Sequence, residues 1–213
     1  MMKKEKQGNV QFNLSLNDEQ LIAKDAILKH PYNFVIGNAG CGKTLLSTYI
    51  ALQELFKGNV ERIVITRPTV GTEDIGFLPG TLEEKLEPWL VPIRSNFRKV
   101  YNKPEKLKSL EVEKKIEMIS LQHFRGQTFE NAVVLIDEFQ NLTKSQLRMA
   151  VGRLGKGSIM IFCGDFQQID LKNKNDSAIY DIELLKNSPF VNITELIENH
   201  RNEAVSHVLN LLK

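Results

Sequence analysis

Gly37-Asn38-Ala39-Gly40-Cys41-Gly42-Lys43-Thr44 is the stretch that decides the fold. It spells G-x-x-x-x-G-K-T, a phosphate-binding loop. Its glycines let the backbone curl until successive N–H groups converge, so a triphosphate meets many donors and little bulk. Lys43 adds a point charge for the β- and γ-phosphates, and Thr44 a hydroxyl for Mg²⁺. The flanks agree. Phe34-Val35-Ile36 is a short apolar run suited to a buried strand. After Thr44, Leu45, Tyr49, Leu52 and Phe56 recur on one helical face, and Gly58 supplies a stop. Strand, glycine loop and helix place the loop at a helix N-terminus, where the backbone dipole favours anions. Gly37, Asn38, Ala39, Gly40, Cys41, Gly42, Lys43, Thr44 and Leu45 are therefore the expected nucleotide contacts.

Outward from the loop, strands are expected at residues 60–66, 132–136, 158–163 and 191–195. Asn17 with Gln20 fits a helix N-cap and capping box, and Thr143 with Gln146 fits another, opening a helix that Gly155 would end. Further helices are expected at 177–186 and 203–212. Residues 81–101 read as helical but broken near Pro88 and Pro92, and 104–115 as a solvated helix or hairpin. Apolar strands separated by helices predict an α/β fold of the P-loop NTPase kind, a parallel sheet covered on both faces. The expected layout is a flexible 1–13, one domain over 14–213, and a helical insertion at 80–118.

In such a sheet the ligand lies beyond the carboxyl ends of the strands, so polar residues there are the functional candidates. Asp137-Glu138 follows the most apolar strand. Asp137 is placed to hold Mg²⁺, directly or through water, and Glu138 to orient and deprotonate the attacking water. A pair of helix-capping acids is the plain alternative. Gly164-Asp165-Phe166-Gln167-Gln168 follows another strand; Gln168 is the candidate γ-phosphate sensor with Asp165 as partner, and a simple Gly-Asp turn is the alternative. Arg67 follows a third strand and suits reading a phosphate of nucleic acid or closing the site; a surface ion pair is the plain alternative. Asn173-Lys174-Asn175-Asp176 spells N-K-x-D, a guanine reader, but stands too far beyond its strand; GTP remains the minor alternative.

Composition excludes several classes. The 213 residues are 42% apolar and 25% charged with net charge +2, an ordinary globular balance that does not by itself call for nucleic acid. No apolar run approaches the ~18 residues of a membrane span, and nothing resembles a secretion signal. Cys41 and Cys163 are the two cysteines and read as free thiols of a reducing cytoplasm. Cys41 is expected beside the phosphates.

Arg67-Pro68-Thr69-Val70, Gly76-Phe77-Leu78-Pro79-Gly80, Pro88-Trp89, His123-Phe124-Arg125-Gly126-Gln127-Thr128-Phe129, Asp137-Glu138-Phe139-Gln140-Asn141 and Gly164 to Leu171 together resemble the PhoH-like ATPase family, over most of residues 16–201. That family is similar to the first motor domain of superfamily 1 helicases. The resemblance implies a RecA-like core, ATP hydrolysis with Mg²⁺, action on RNA or single-stranded DNA, and a homo-oligomeric ring, a hexamer. It also gives Gln20 an adenine-reading role beside its capping role. Phe139 and Leu142 depart from the family's small residues, and Glu198-Asn199-His200-Arg201 looks more like a helicase N-Y-R segment.

A helicase motor takes an arginine from a second domain, for which this chain is too short, so a neighbouring subunit is expected to supply it. Arg201, Arg153 and Arg125 are the candidates, Arg201 also in cis. For nucleic acid, Arg94, Arg98, Lys99, Lys103, Lys106 and Lys108 are interleaved with Trp89, Phe97 and Tyr101. That pattern suits phosphate contact with base stacking and equally a solvated helix face. A nucleotide-dependent switch or assembly factor without motor activity and a small-molecule or nucleotide kinase are the other classes; Glu138 with Gln168 suits attack by water better than transfer to a kinase substrate.

Overall fold

The computed structural model describes residues 12–68, 82–200 and 203–211. Six strands form one sheet: β1 (Tyr32–Gly37), β2 (Arg62–Thr66), β3 (Ile116–Met118), β4 (Ala132–Ile136), β5 (Ile159–Gly164) and β6 (Val191–Leu196). Their order is β3-β2-β4-β5-β1-β6, and every pairing is parallel. Buried on both faces, the central strands are near-continuous apolar runs rather than alternating ones. Register aligns Ile36 with Gly164, Gly37 with Leu196, Thr66 with Ile136 and Ile136 with Phe162. Five strands thus end at about one level on one edge.

One face carries α1 (Asp18–Ile27), α2 (Lys43–Lys57), α3 (Leu82–Val100) and α4 (Pro104–Val112), packed through Ile27, Leu46, Ile50, Phe97 and Leu107. The other carries α5 (Lys144–Val151) and short 3-10 turns, around Phe34, Phe129, Phe139 and Phe162. A last helix, α6, runs Glu203–Leu211. Both capping boxes form as expected: Asn17 with Gln20 and Thr143 with Gln146.

Several expectations are corrected. α3 runs unbroken through Pro88 and Pro92; the burial of Ile93, Phe97 and Val100 offsets the missing donors. β3 is an extra strand, too short to show a period. Residues 178–185 form a 3-10 helix. α5 ends at Gly152, not Gly155. Gly155 instead lies against Phe129, whose carbonyl accepts its N–H at 2.7 Å and would meet any Cβ there. The flexible segment expected at 1–13 reaches too far: the Phe12 ring packs on Tyr49 at 4.9 Å and Asn13 donates to the Val100 carbonyl, while residues 1–11 lie outside the described residues. Phe139 and Leu142 are fully buried. The Phe139 ring lies edge-on to Phe34 and Phe162 and fills the space over Gly164.

Candidate functional site

The loop between β1 and α2 has the left-handed turns that its glycines permit. Gly40 has φ +95° and Gly42 φ +87°. Gly37 has φ +151°, and a Cβ there would overlap the Leu196 carbonyl of β6 and the Cys41 thiol. Lys43 Nζ donates to the Gly37 carbonyl at 2.7 Å and the Asn38 carbonyl at 3.0 Å, so its charge sits over the loop. Cys41 is 1% exposed, with its sulfur 3.8 Å from Lys43 Nζ; burial pushes its thiol pKa up. The reading of both cysteines as free thiols agrees with the structure.

Two strand ends meet beside the loop. Thr44 Oγ1 donates to Asp137 Oδ1 at 2.7 Å, joining the start of α2 to the end of β4. Arg67, at the end of β2, faces both acids, 4.0 Å from Asp137 Oδ2 and 3.4 Å from Glu138 Oε1. Its role left open by the sequence is thereby resolved in part: it pairs with the site's acids, not with surface groups. Burial first, and the Glu138 carboxylate second, push the Asp137 pKa up to about 6, while Thr44, Arg67 and Lys43 pull it down. Glu138 itself is left-handed, φ 55° and ψ 42°, a strained conformation for a residue with a side chain.

Gln140 is the residue that sequence reasoning missed. Fully buried, it donates from Nε2 to Glu138 Oε2 at 2.6 Å and to the Gln168 carbonyl at 3.0 Å. Its Oε1 accepts the Asp165 N–H at 3.1 Å. The amide therefore locks the acid pair to the loop after β5. Its signal was present, since a polar residue two positions after Glu138 lies within reach of its carboxylate, but its partners lie far along the chain.

A family model described as PhoH-like protein matches residues 14–213. The chain belongs to the PhoH-like protein family. A PhoH-like protein of Synechocystis is 44% identical over 155 residues, covering 72% of this chain and 47% of its own. Protein PhoH of Escherichia coli K12 is 37% identical over 177 residues, covering 79% and 48%. A PhoH-like protein of Bacillus subtilis is 37% identical over 188 residues, covering 86% and 57%. The chain spans about half the length of these relatives. Among solved structures, the large terminase of a thermophilic bacteriophage superposes with TM-score 0.57 at 11% identity, over 94% of this chain and 51% of that one. That likeness concerns the fold, a RecA-like P-loop NTPase core.

Within this PhoH-like domain the expected residues fall into two groups. The loop residues from Gly37 to Leu45, with Asp137, Glu138 and Gln20, come together. Gln20 serves the capping box through Oε1, while Nε2 faces the loop, 3.0 Å from where a Cβ of Gly42 would lie. Gln168 joins through its backbone carbonyl; its side chain is exposed. Asp165 accepts from the Gln167 N–H at 2.8 Å, the turn that was its plain alternative. Arg153 lies at the opposite edge of the sheet. Its carbonyl bonds Phe129 ahead of β4, and Val151 nearby accepts from Tyr32 at the start of β1. It cannot serve its own loop. Arg201 and the 76–80 motif lie outside the described residues. Asn173 caps the Asn175 N–H in an exposed turn.

The stacking expectation is also corrected. Phe97 and Tyr101 are 2% and 7% exposed and belong to the core. The side chain of Trp89 lies outside the described residues. Arg98, Lys99, Lys103, Lys106 and Lys108 are exposed, and Arg94, Arg98 and Lys108 line a cleft of about 420 Å³ between α3 and α4, shared with Glu105 and Glu111. No helix among the described residues is long and apolar enough to cross a membrane.

The residues present fit Mg²⁺ held with a nucleotide. A hydroxyl and a carboxylate 2.7 Å apart are hard oxygen donors. No cluster of three His, Cys, Asp or Glu ligands occurs among the described residues. Mg²⁺ usually takes one or two protein oxygens and fills the rest with phosphates and water, so this donor set suits it.

Proposed function

We propose that this PhoH-like domain is a Mg²⁺-dependent ATPase whose hydrolysis is coupled to RNA or single-stranded DNA in a homo-oligomer, a hexameric ring. The observation that carries the reading is the Thr44–Asp137 contact, with Glu138 held beside it by Arg67 and Gln140. A phosphate loop alone binds; a loop joined to a positioned carboxylate can also hydrolyse.

The loop N–H groups and Lys43 orient the triphosphate and take up its charge. Thr44 and Asp137 would hold the metal, which when bound would neutralise phosphate charge. Glu138 orients a water and accepts its proton. Arg98 and Lys108, exposed beside the cleft between α3 and α4, are the phosphate contacts for a strand. An arginine from a neighbouring subunit suits the layout, because Arg153 stands at the far edge of its own sheet.

The test is phosphate release with and without single-stranded RNA or DNA, for wild type and Glu138→Gln. Wild type is expected to turn over faster with a strand. Glu138→Gln is expected to bind ATP and to lose about 10²- to 10⁴-fold in turnover. Release that ignores every nucleic acid favours the nucleotide switch. An active Glu138→Gln refutes the assigned base.

A further inference from the structure

The segment leaving β6 is fastened to α1 by a clamp outside the sheet's own hydrogen bonding. Glu19 lies in the first turn of α1. One carboxylate oxygen accepts the Ile197 N–H at 2.7 Å and the other the Glu198 N–H at 3.2 Å. Asn17, the N-cap of the same helix, donates from Nδ2 to Glu198 Oε2 at 2.6 Å. Ile197 is 78% exposed, so the burial of its side chain does not hold this strap down; polar contacts do. The strap then crosses the phosphate loop. The His200 N–H donates to the Gly40 carbonyl at 3.1 Å. Its ring Nε2 is 3.4 Å from Gln20 Nε2, and its Cδ2 lies 3.7 Å from the place of a Cβ on Gly42. Gln20 Nε2 is a donor, so the pair selects the tautomer with an unprotonated ring Nε2.

We propose that Glu19 is a positioning residue for nucleotide binding: it holds residues 197–200 so that His200 pins the phosphate loop at Gly40 and closes, with Gln20, the wall beside Gly42. The inference rests on the nucleotide-binding reading above and adds how the loop is held. A loop that must aim its N–H groups inward gains when a carbonyl is fixed outward, because the geometry is set before the ligand arrives. One carboxylate taking two backbone N–H groups is a charge-assisted anchor, stronger than neutral pairing. Through it the first turn of α1 and the chain leading to α6 act on the loop together.

The test titrates a fluorescent ATP analogue with Mg²⁺ into the full chain as wild type, Glu19→Gln, Glu19→Ala, His200→Ala and the double variant Glu19→Ala/His200→Ala, with thermal unfolding measured alongside. Glu19→Ala is expected to weaken binding on the order of tenfold, the scale of one lost charge-assisted bond. Glu19→Gln keeps one acceptor oxygen and falls between. The double variant binds no more weakly than the weaker single one, since both residues act by one route. A purely structural role would instead lower the melting temperature and leave affinity alone, and that result overturns the proposal. So do losses that multiply in the double variant. If wild type binds and Glu19→Ala binds equally well, the clamp alone falls; if wild type binds no nucleotide, the parent reading falls with it.

Discussion

Asp137→Asn is expected to stabilise the nucleotide-free protein while ending its Mg²⁺-dependent turnover. Asp137 is 7% exposed, and its pKa is raised from 3.8 to about 6, chiefly by burial and then by Glu138. The sign follows from linkage. Between the two values the folded chain keeps a proton that the unfolded chain has released, so stability falls as pH rises from about 4 to about 6 and stays lower above that. A carboxyl moved from 3.8 to about 6 corresponds to about 3 kcal/mol. Asparagine keeps the carbonyl oxygen that accepts from Thr44 and cannot ionise. At pH 7.5 the variant should gain about 2–3 kcal/mol, a rise in Tm of about 5–10 °C for a chain of this size. At pH 4, where the wild-type carboxyl is also neutral, the gain should vanish. The assay is thermal unfolding by circular dichroism in EDTA at pH 4, 5, 6 and 7.5. A variant less stable than wild type at pH 7.5, or a gap equal at pH 4 and 7.5, refutes the account.

Arg67→Ala removes a positive neighbour of Asp137, so the Asp137 pKa should rise further and the acid limb of the ATPase–pH profile should move to higher pH; a limb that stays put sinks the pairing. Gln140→Ala leaves Glu138, the Asp165 N–H and the Gln168 carbonyl without their shared partner, and should lower stability by about 2–4 kcal/mol and turnover about 10²-fold. Equal turnover in wild type and Gln140→Ala, measured at saturating ATP, removes Gln140 from the site. The buried Cys41 thiol, its pKa raised by burial, should react slowly with a bulky maleimide, and modification should block nucleotide binding while ATP protects. Modified protein that binds ATP normally would show that the loop lies elsewhere.

The phosphate loop, the strand before it and the acid pair after β4 were legible because each is written in a few consecutive residues. What escaped is what depends on distant partners. Gln140 matters through Asp165 and Gln168, which lie beyond α5. Phe97 and Tyr101 fit a stacking surface by spacing but are core, since an apolar period does not say which side of a helix is covered. Pro88 and Pro92 predicted a break that packing overrides. Arg153 follows the helix after the acid-bearing strand, and that eight-residue helix carries the chain back to the far edge. Gln20 was weighed as cap or base reader; an amide has two ends, and the structure uses Oε1 for the cap and turns Nε2 to the loop.

The conformation of Glu138 ties these threads together. A left-handed glutamate persists only where its surroundings over-determine it, and here it is gripped from two sides. Arg67 reaches it from the end of β2, one residue before Pro68 and the chain that leads towards α3. Gln140 holds its other oxygen and is itself held by the loop after β5. The two grips come from different strand ends on either side of β4 in the sheet. A carboxylate so placed is positioned by the relative setting of β2 and β5, and a shift of either strand end changes its distance to the loop. The strain in one residue thereby makes the carboxylate proposed to activate water sensitive to segments that need not touch the nucleotide at all.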